Sequence, residues 1–220
     1  MSNSYVVYIE TAPLPLEQLV SKAPVFKAAA NLKDAQKIAE DIEKKKNKYF
    51  EEAHLNESTG FVCAVALLDM ETEKVEIINS LQNSEEKILS WLYGKLANGR
   101  PTPTVTFRGN KFVYPFISRR GAKYGIPFLT QLFYYDEAVG YSGQLDEYLY
   151  TDVAAMWACG SLSHPESMKE IADVLDIKYT EHEQPYYKAL IDDEEKANEQ
   201  LNASITTLFD VYKKLVKWTL

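Results

Sequence analysis

Cysteine and histidine are scarce in this chain. Its 220 residues hold two cysteines, Cys63 and Cys159, and three histidines, His54, His164 and His182. The cysteines lie far apart and form neither a C-x-x-C pair nor a disulfide framework. The histidines are scattered, so no zinc spacing stands out. Long apolar runs are missing too; a bilayer span needs ~20 residues and the longest run here is a handful. The opening MSNSYVVYIE has no basic stretch followed by an apolar one, so no leader peptide is expected. Repeats and low-complexity linkers are also absent. These absences predict a cytoplasmic protein of a reducing compartment, without membrane contact and without a cofactor.

What is present is ordinary for a folded protein. The chain is 46% hydrophobic and 25% charged, so wholesale disorder is excluded. The length suits one well-buried core, and a single domain over residues 1–220 is expected. The net charge is −8, which on its face argues against a protein that coats nucleic acid.

Hydrophobic patterning predicts the elements. Tyr5 to Ile9 reads as a buried strand, ended by Pro13 and Pro15. Asn31 can cap a helix over about 32–55, with apolar residues at three- and four-residue steps. Phe61 to Leu68 and Lys74 to Ile78 read as a hairpin. Ser84-Glu85-Glu86 opens a helix whose core face is Ile88, Leu89, Leu92 and Leu96. Pro103 to Phe107 is a short strand, followed by a turn at Gly109-Asn110 and a helix to about Tyr124. The last third reads as helical, with helices from Ser163 through Leu175 and from Asp193 to Trp218. The order predicts an α/β fold with a mixed central sheet.

Three segments form a recognisable set. The first is Val6-Val7-Tyr8-Ile9-Glu10-Thr11-Ala12-Pro13. The second runs from Thr106 to Arg120 through Phe107, Gly109-Asn110 and Phe112-Val113-Tyr114-Pro115. The third pairs Asp152-Val153 with Ser167-Met168, Ile171-Ala172, Leu175 and Ile177, ahead of a final helix. In order and spacing they resemble the DnaQ-like 3′–5′ exonucleases, in the family B polymerase exonuclease-like branch common in phages. His54-Leu55 through Gly60-Phe61 is similar to that branch's entry into its second strand. The resemblance covers nearly the whole chain and implies a ribonuclease H-like fold, a mixed central sheet flanked by helices.

The family's chemistry needs four carboxylates holding two Mg²⁺ or Mn²⁺ ions ~3.5–4 Å apart. Magnesium is a hard ion that prefers oxygen ligands, so neutral apolar residues cannot replace them. Matched to the family, this chain retains Glu10 and loses the rest. Tyr8 stands at the first aspartate, Val113 at the second-motif aspartate and Ser204 at the third, with Gln200 at the usual tyrosine. No residue from Gln200 to Thr207 is acidic, so a small slip of frame restores nothing. Asp152 is retained but is not a metal ligand in the family. The resemblance therefore implies an inactive exonuclease with no metal site and a vestigial Glu10.

The charge is unevenly placed. Between Lys87 and Tyr135 there is no Asp or Glu, and eight cations give that segment +8, which leaves −16 for the rest of a chain of net charge −8. All four arginines lie there: Arg100, Arg108, Arg119 and Arg120. Aromatic residues are interleaved. Cations that track phosphates and aromatics that stack on unpaired bases are what a single strand calls for. Arg108, Lys111, Tyr114, Arg119, Arg120 and Lys123 are the expected nucleic-acid-binding residues. Phe112, Phe116 and Phe128 read as core. Lys213, Lys214 and Lys217 form a smaller patch beside Leu215 and Trp218, read as an amphipathic helix end. The acidic stretches Glu181 to Glu195 and Asp136 to Asp152 read as solvated surface, with mimicry of nucleic acid or docking of a basic partner as the alternatives.

The expectation is a non-catalytic protein that binds single-stranded DNA and partners a DNA or RNA polymerase of a viral replication or transcription machine. Two alternatives stay open: a residual metal-dependent nuclease using Glu10 with Asp152 or Asp210, and a docking scaffold without nucleic acid.

Overall fold

The structure is a computed structural model that describes residues 4–96, 102–128, 133–136, 140–145, 150–159 and 167–219. The chain contacts form two compact units, residues 11–61 and the remainder.

The larger unit is built on a five-stranded sheet. Strand β1 (Tyr5–Pro13) buries Val6, Val7 and Ile9. It runs on past Ile9 and stops at Pro13, the first of the two prolines. Strand β2 (Gly60–Asp69) is buried continuously from Val62 to Leu68, the signature of a strand covered on both faces. It pairs antiparallel with β3 (Val75–Asn79), from Ala64 opposite Asn79 to Leu68 opposite Val75. Helix α3 (Glu85–Leu96) buries Ile88, Leu89, Leu92 and Leu96 as its periodicity predicts, and Ser84 Oγ accepts from Lys87 N at 3.3 Å.

Strand β4 (Thr104–Thr106) is parallel to β1, with Tyr5 opposite Thr104. A π-helical turn (Gly109–Val113) then leads into α4 (Tyr114–Lys123). A separate two-stranded ribbon, β5 (Phe133–Asp136) and β6 (Gly140–Leu145), follows. Strand β7 (Tyr150–Asp152) is parallel to β4, with Thr106 opposite Asp152. Helices α5 (Val153–Ala158), α6 (Met168–Val174), α7 (Tyr186–Asp192) and α8 (Glu194–Thr219) complete the unit.

The sheet order is β3-β2-β1-β4-β7. A mixed sheet in that order, flanked by helices, is an α/β fold of ribonuclease H-like type. Strand β7 and helices α5 and α7 were not expected from the sequence. Each is seven residues or fewer, too short for a period to declare itself. The start expected for α6, at Ser163 to Glu166, lies outside the described residues. Ser167 caps that helix instead, accepting from Glu170 N at 3.4 Å.

The smaller unit holds α1 (Leu16–Lys22) and α2 (Ala35–Glu51). Helix α1 was also unexpected; it buries Leu19 but exposes Leu16 and Val20, so no stripe marks it. Asp34, not Asn31, caps α2, accepting from Gln36 N and Lys37 N at 2.9 and 3.0 Å. A carboxylate satisfies two orphan donors and favours the helix dipole, so Asp34 wins. The chain beyond Glu51 tightens into a 3₁₀ turn (Ala53–Leu55), and Thr59 Oγ1 closes on Ala53 O at 2.8 Å.

Candidate functional site

Side chains alternate along a strand, so Tyr8 and Glu10 share the face of β1 opposite buried Ile9. Helix α8 brings Ser204 to the same place. Ser204 stands near the Tyr8 phenol and favours its ionised form, and Ser204 Oγ lies 2.8 Å from His182 Nε2. His182 Nδ1 is buried and has no hydrogen-bond partner among the described residues.

Burial governs the electrostatics. It pushes the Tyr8 phenol far above its ordinary value, and the neighbouring Glu10 and Tyr179 push it further. The Glu10 carboxyl is lifted to about 7 by burial. The Cys63 thiol and the Tyr186 phenol are raised, mainly by burial and also by Glu10. His182 is lowered by burial, which favours its neutral form. Glu10 therefore titrates near neutrality.

Such a donor set does not fit two divalent ions. Tyr8 presents a neutral phenol, Ser204 a hydroxyl already engaged with His182, and Glu10 a carboxyl half protonated near pH 7. Val113 is 4% exposed and packs in the main core. Among the described residues, no three His, Cys, Asp or Glu side chains are placed to hold a metal ion.

Asp152 has a different task. One oxygen accepts from Ala154 N at 3.0 Å and caps α5; the other accepts from Asn110 N at 3.1 Å and pins the π-helical turn. That turn starts from Arg108 in the left-handed region, at φ 56°. It needs Gly109, because a Cβ there would collide with the Thr106 hydroxyl and the Tyr114 ring. Asp210, the other acid considered for a residual nuclease, pairs with Lys213 at 2.9 Å.

The basic segment is partly neutralised in space by acids from elsewhere in the chain. Arg120 is 6% exposed and forks onto both oxygens of Glu85, which also accept from Val62 N and the Tyr124 hydroxyl, each at 2.8 Å. Lys95 is held 2.7 Å from Glu76. Tyr114 is fully buried and shares a 2.7 Å hydrogen bond with Thr104 Oγ1.

Two expected contacts are therefore corrected: Arg120 is a buried ion pair and Tyr114 a core ring. Burial is set by the far side of the fold, which local sequence does not encode. Lys111, Arg119 and Lys123 are exposed, and Arg108 is half-buried with its guanidinium 5.8 Å from the Phe107 ring. Arg119 and Lys123 are one helical turn apart on α4. Arg100 lies outside the described residues, as do residues 137–139 and 146–149 of the stretch Asp136 to Asp152.

In the C-terminal patch, Lys213 sits 4.2 Å from the Phe209 ring centre and Lys214 donates to Leu175 O. His182 is the site residue that sequence reasoning missed. Its one signal was an isolated histidine, which carries no spacing.

The sheet order and flanking helices define the class: a ribonuclease H-like α/β fold. Among solved structures, the chain is similar to the family B DNA polymerase from the hyperthermophilic archaeon Pyrobaculum calidifontis. The TM-score is 0.58 at 11% identity, over 98% of this chain and 25% of that one. At such identity the likeness is one of fold, and this chain spans about a quarter of the polymerase's length. No protein-family profile and no curated protein matches the sequence.

Proposed function

We propose that this chain is a catalytically inactive exonuclease-like protein that binds single-stranded DNA in the cytoplasm. It serves a polymerase of a viral replication or transcription machine as an accessory factor. The observation that carries the loss of cutting is the neutral Tyr8–Ser204–His182 cluster beside a lone carboxylate. Two-metal chemistry needs anionic oxygens that hold and charge-compensate both ions. A phenol, a hydroxyl and a neutral imidazole supply none.

Support for DNA binding is the exposed row on α4 and its approach, Lys111, Arg119 and Lys123. No acid lies within the segment from Lys87 to Tyr135. With Tyr114 and Arg120 withdrawn, the contact is electrostatic and modest.

A gel-shift titration at low salt tests this reading. Single-stranded DNA is expected to bind more tightly than duplex, and Arg119→Glu with Lys123→Glu is expected to weaken binding at least tenfold. No binding, or binding indifferent to those charges, removes the DNA reading. Degradation of labelled DNA with Mn²⁺ that Glu10→Ala abolishes removes the inactive reading. A protein partner that survives nuclease treatment, in a chain that binds no DNA, selects the scaffold.

A further inference from the structure

A cleft of about 400 Å³ opens at the carboxyl ends of β4 and β7, lined by Asn110, Tyr150, Asp152, Met156, Tyr212 and Val216 among others. The carboxyl ends of parallel strands are where open α/β sheets bind ligands. The volume is at the small end of ligand sites. Two features mark the position as more than a gap in packing. Its rim includes a π-helical turn, a geometry frequent at functional sites. The turn is entered through a left-handed Arg108, a conformation a non-glycine residue adopts at a cost.

The walls specify the occupant by class. Tyr150 is buried and braced edge-on by Tyr114, ring centres 5.4 Å apart, so it is a fixed surface. Tyr212, Met156 and Val216 are half-buried and face the cleft with apolar and thioether surface. Asp152 is the charged group in the lining, and no Lys or Arg contributes. A phosphate is therefore disfavoured inside. A carboxylate has about four acceptor positions. Asp152 uses one for Asn110 N and one for Ala154 N. The rest suit N–H donors arriving with a flat, apolar ring. Lys111, next to Asn110 in the chain, is exposed and available for a phosphate outside.

We infer that this cleft takes one unstacked nucleobase, held between aromatic and aliphatic walls with its N–H edge on Asp152. The inference deepens the single-stranded DNA reading and rests on it for biological context, but the cleft can be tested without an oligonucleotide.

The chain has four methionines, Met1, Met70, Met156 and Met168, and Met156 is the one that lines the cleft. With ¹³C-methyl methionine, titration with deoxycytidine and deoxyadenosine is expected to move the Met156 methyl signal to saturation in the millimolar range. The other methyls should hold still, and deoxyribose alone should be silent. Tyr212→Ala is expected to weaken the response about tenfold, the worth of one base stack. Val216→Trp, which fills the cleft, is expected to abolish it.

A Met156 signal that stays put, or four signals that move together, overturns the inference. If Arg119- and Lys123-dependent DNA binding is present while Met156 is silent, the cleft fails alone. If nucleosides move Met156 but no oligonucleotide binds, the DNA-binding reading fails and the cleft stands.

Discussion

Glu10 is a carboxyl lifted from the ordinary range to about 7 by burial. The sign of its effect on stability follows. Between its unfolded value of 4.5 and about 7 the folded chain holds a proton that the unfolded chain has released. Stability from this group is therefore present below that window and lost as pH rises through it. Glu10→Gln is expected to be more stable than the parent at pH 8, by on the order of 3 kcal/mol at most, and nearly equal to it at pH 4. Urea unfolding of both proteins at the two pH values measures the difference. His182 opposes the trend as pH falls, but it is common to both proteins and cancels.

The nearness of Tyr8 to Ser204 makes a second residue-level prediction. Aspartates at both positions would stand beside Glu10 and create a cation site. Tyr8→Asp combined with Ser204→Asp is expected to gain a Tm increase on adding Mn²⁺ that the parent lacks. An unchanged Tm would show that the three positions do not converge.

At the scale of elements, Glu85 ties three parts of the fold together. Its carboxylate, at the start of α3, accepts from Val62 N on β2, from Arg120 on α4 and from the Tyr124 hydroxyl just beyond α4. The pair is buried, so the loss of one partner strands the other. Arg120→Ala is expected to cost about 3 kcal/mol or more, while Arg119→Ala, one residue away but exposed, is expected to stay within about 1 kcal/mol. Chemical denaturation reads both, and Arg120→Met with Glu85→Gln should recover part of the loss. Equal effects at 119 and 120 would contradict the burial that separates them. The helix that reads as uniformly basic in sequence thus has one cation for the core and others for the surface.

Helix α3, the hairpin β2–β3 and helix α8 were legible because each is long enough for its period to show. Helices α1, α5 and α7 and strand β7 are short and depend on neighbours for their burial, so the local pattern is silent.

Over the whole molecule, the net charge of −8 means that the proposed DNA contact has to work through a local field. Counterion release from a single strand gives a slope of about −0.7 in log K against log salt for each phosphate contact. If Arg108, Lys111, Arg119 and Lys123 each make one, the slope is about −3. Anisotropy titrations across a salt series would show it, and a slope near zero would exclude an electrostatic groove. The basic stripe is also smaller than the count of eight suggests, since Lys95 and Arg120 are matched by Glu76 and Glu85.

The α/β fold class, the principal strands and helices, and the side chains at the motif positions could all be read from the chain's local pattern. Those are properties of periodicity and residue type, which a chain carries locally. The tertiary structure decided which of those side chains meet and which reach solvent. It brought Tyr8 to Ser204 and His182 across nearly the whole chain length, and it lifted the Glu10 carboxyl. It also buried Tyr114 and Arg120 while leaving Arg119 outside. Desolvation and long-range pairing depend on what the rest of the fold places around a residue, and no stretch of sequence states that.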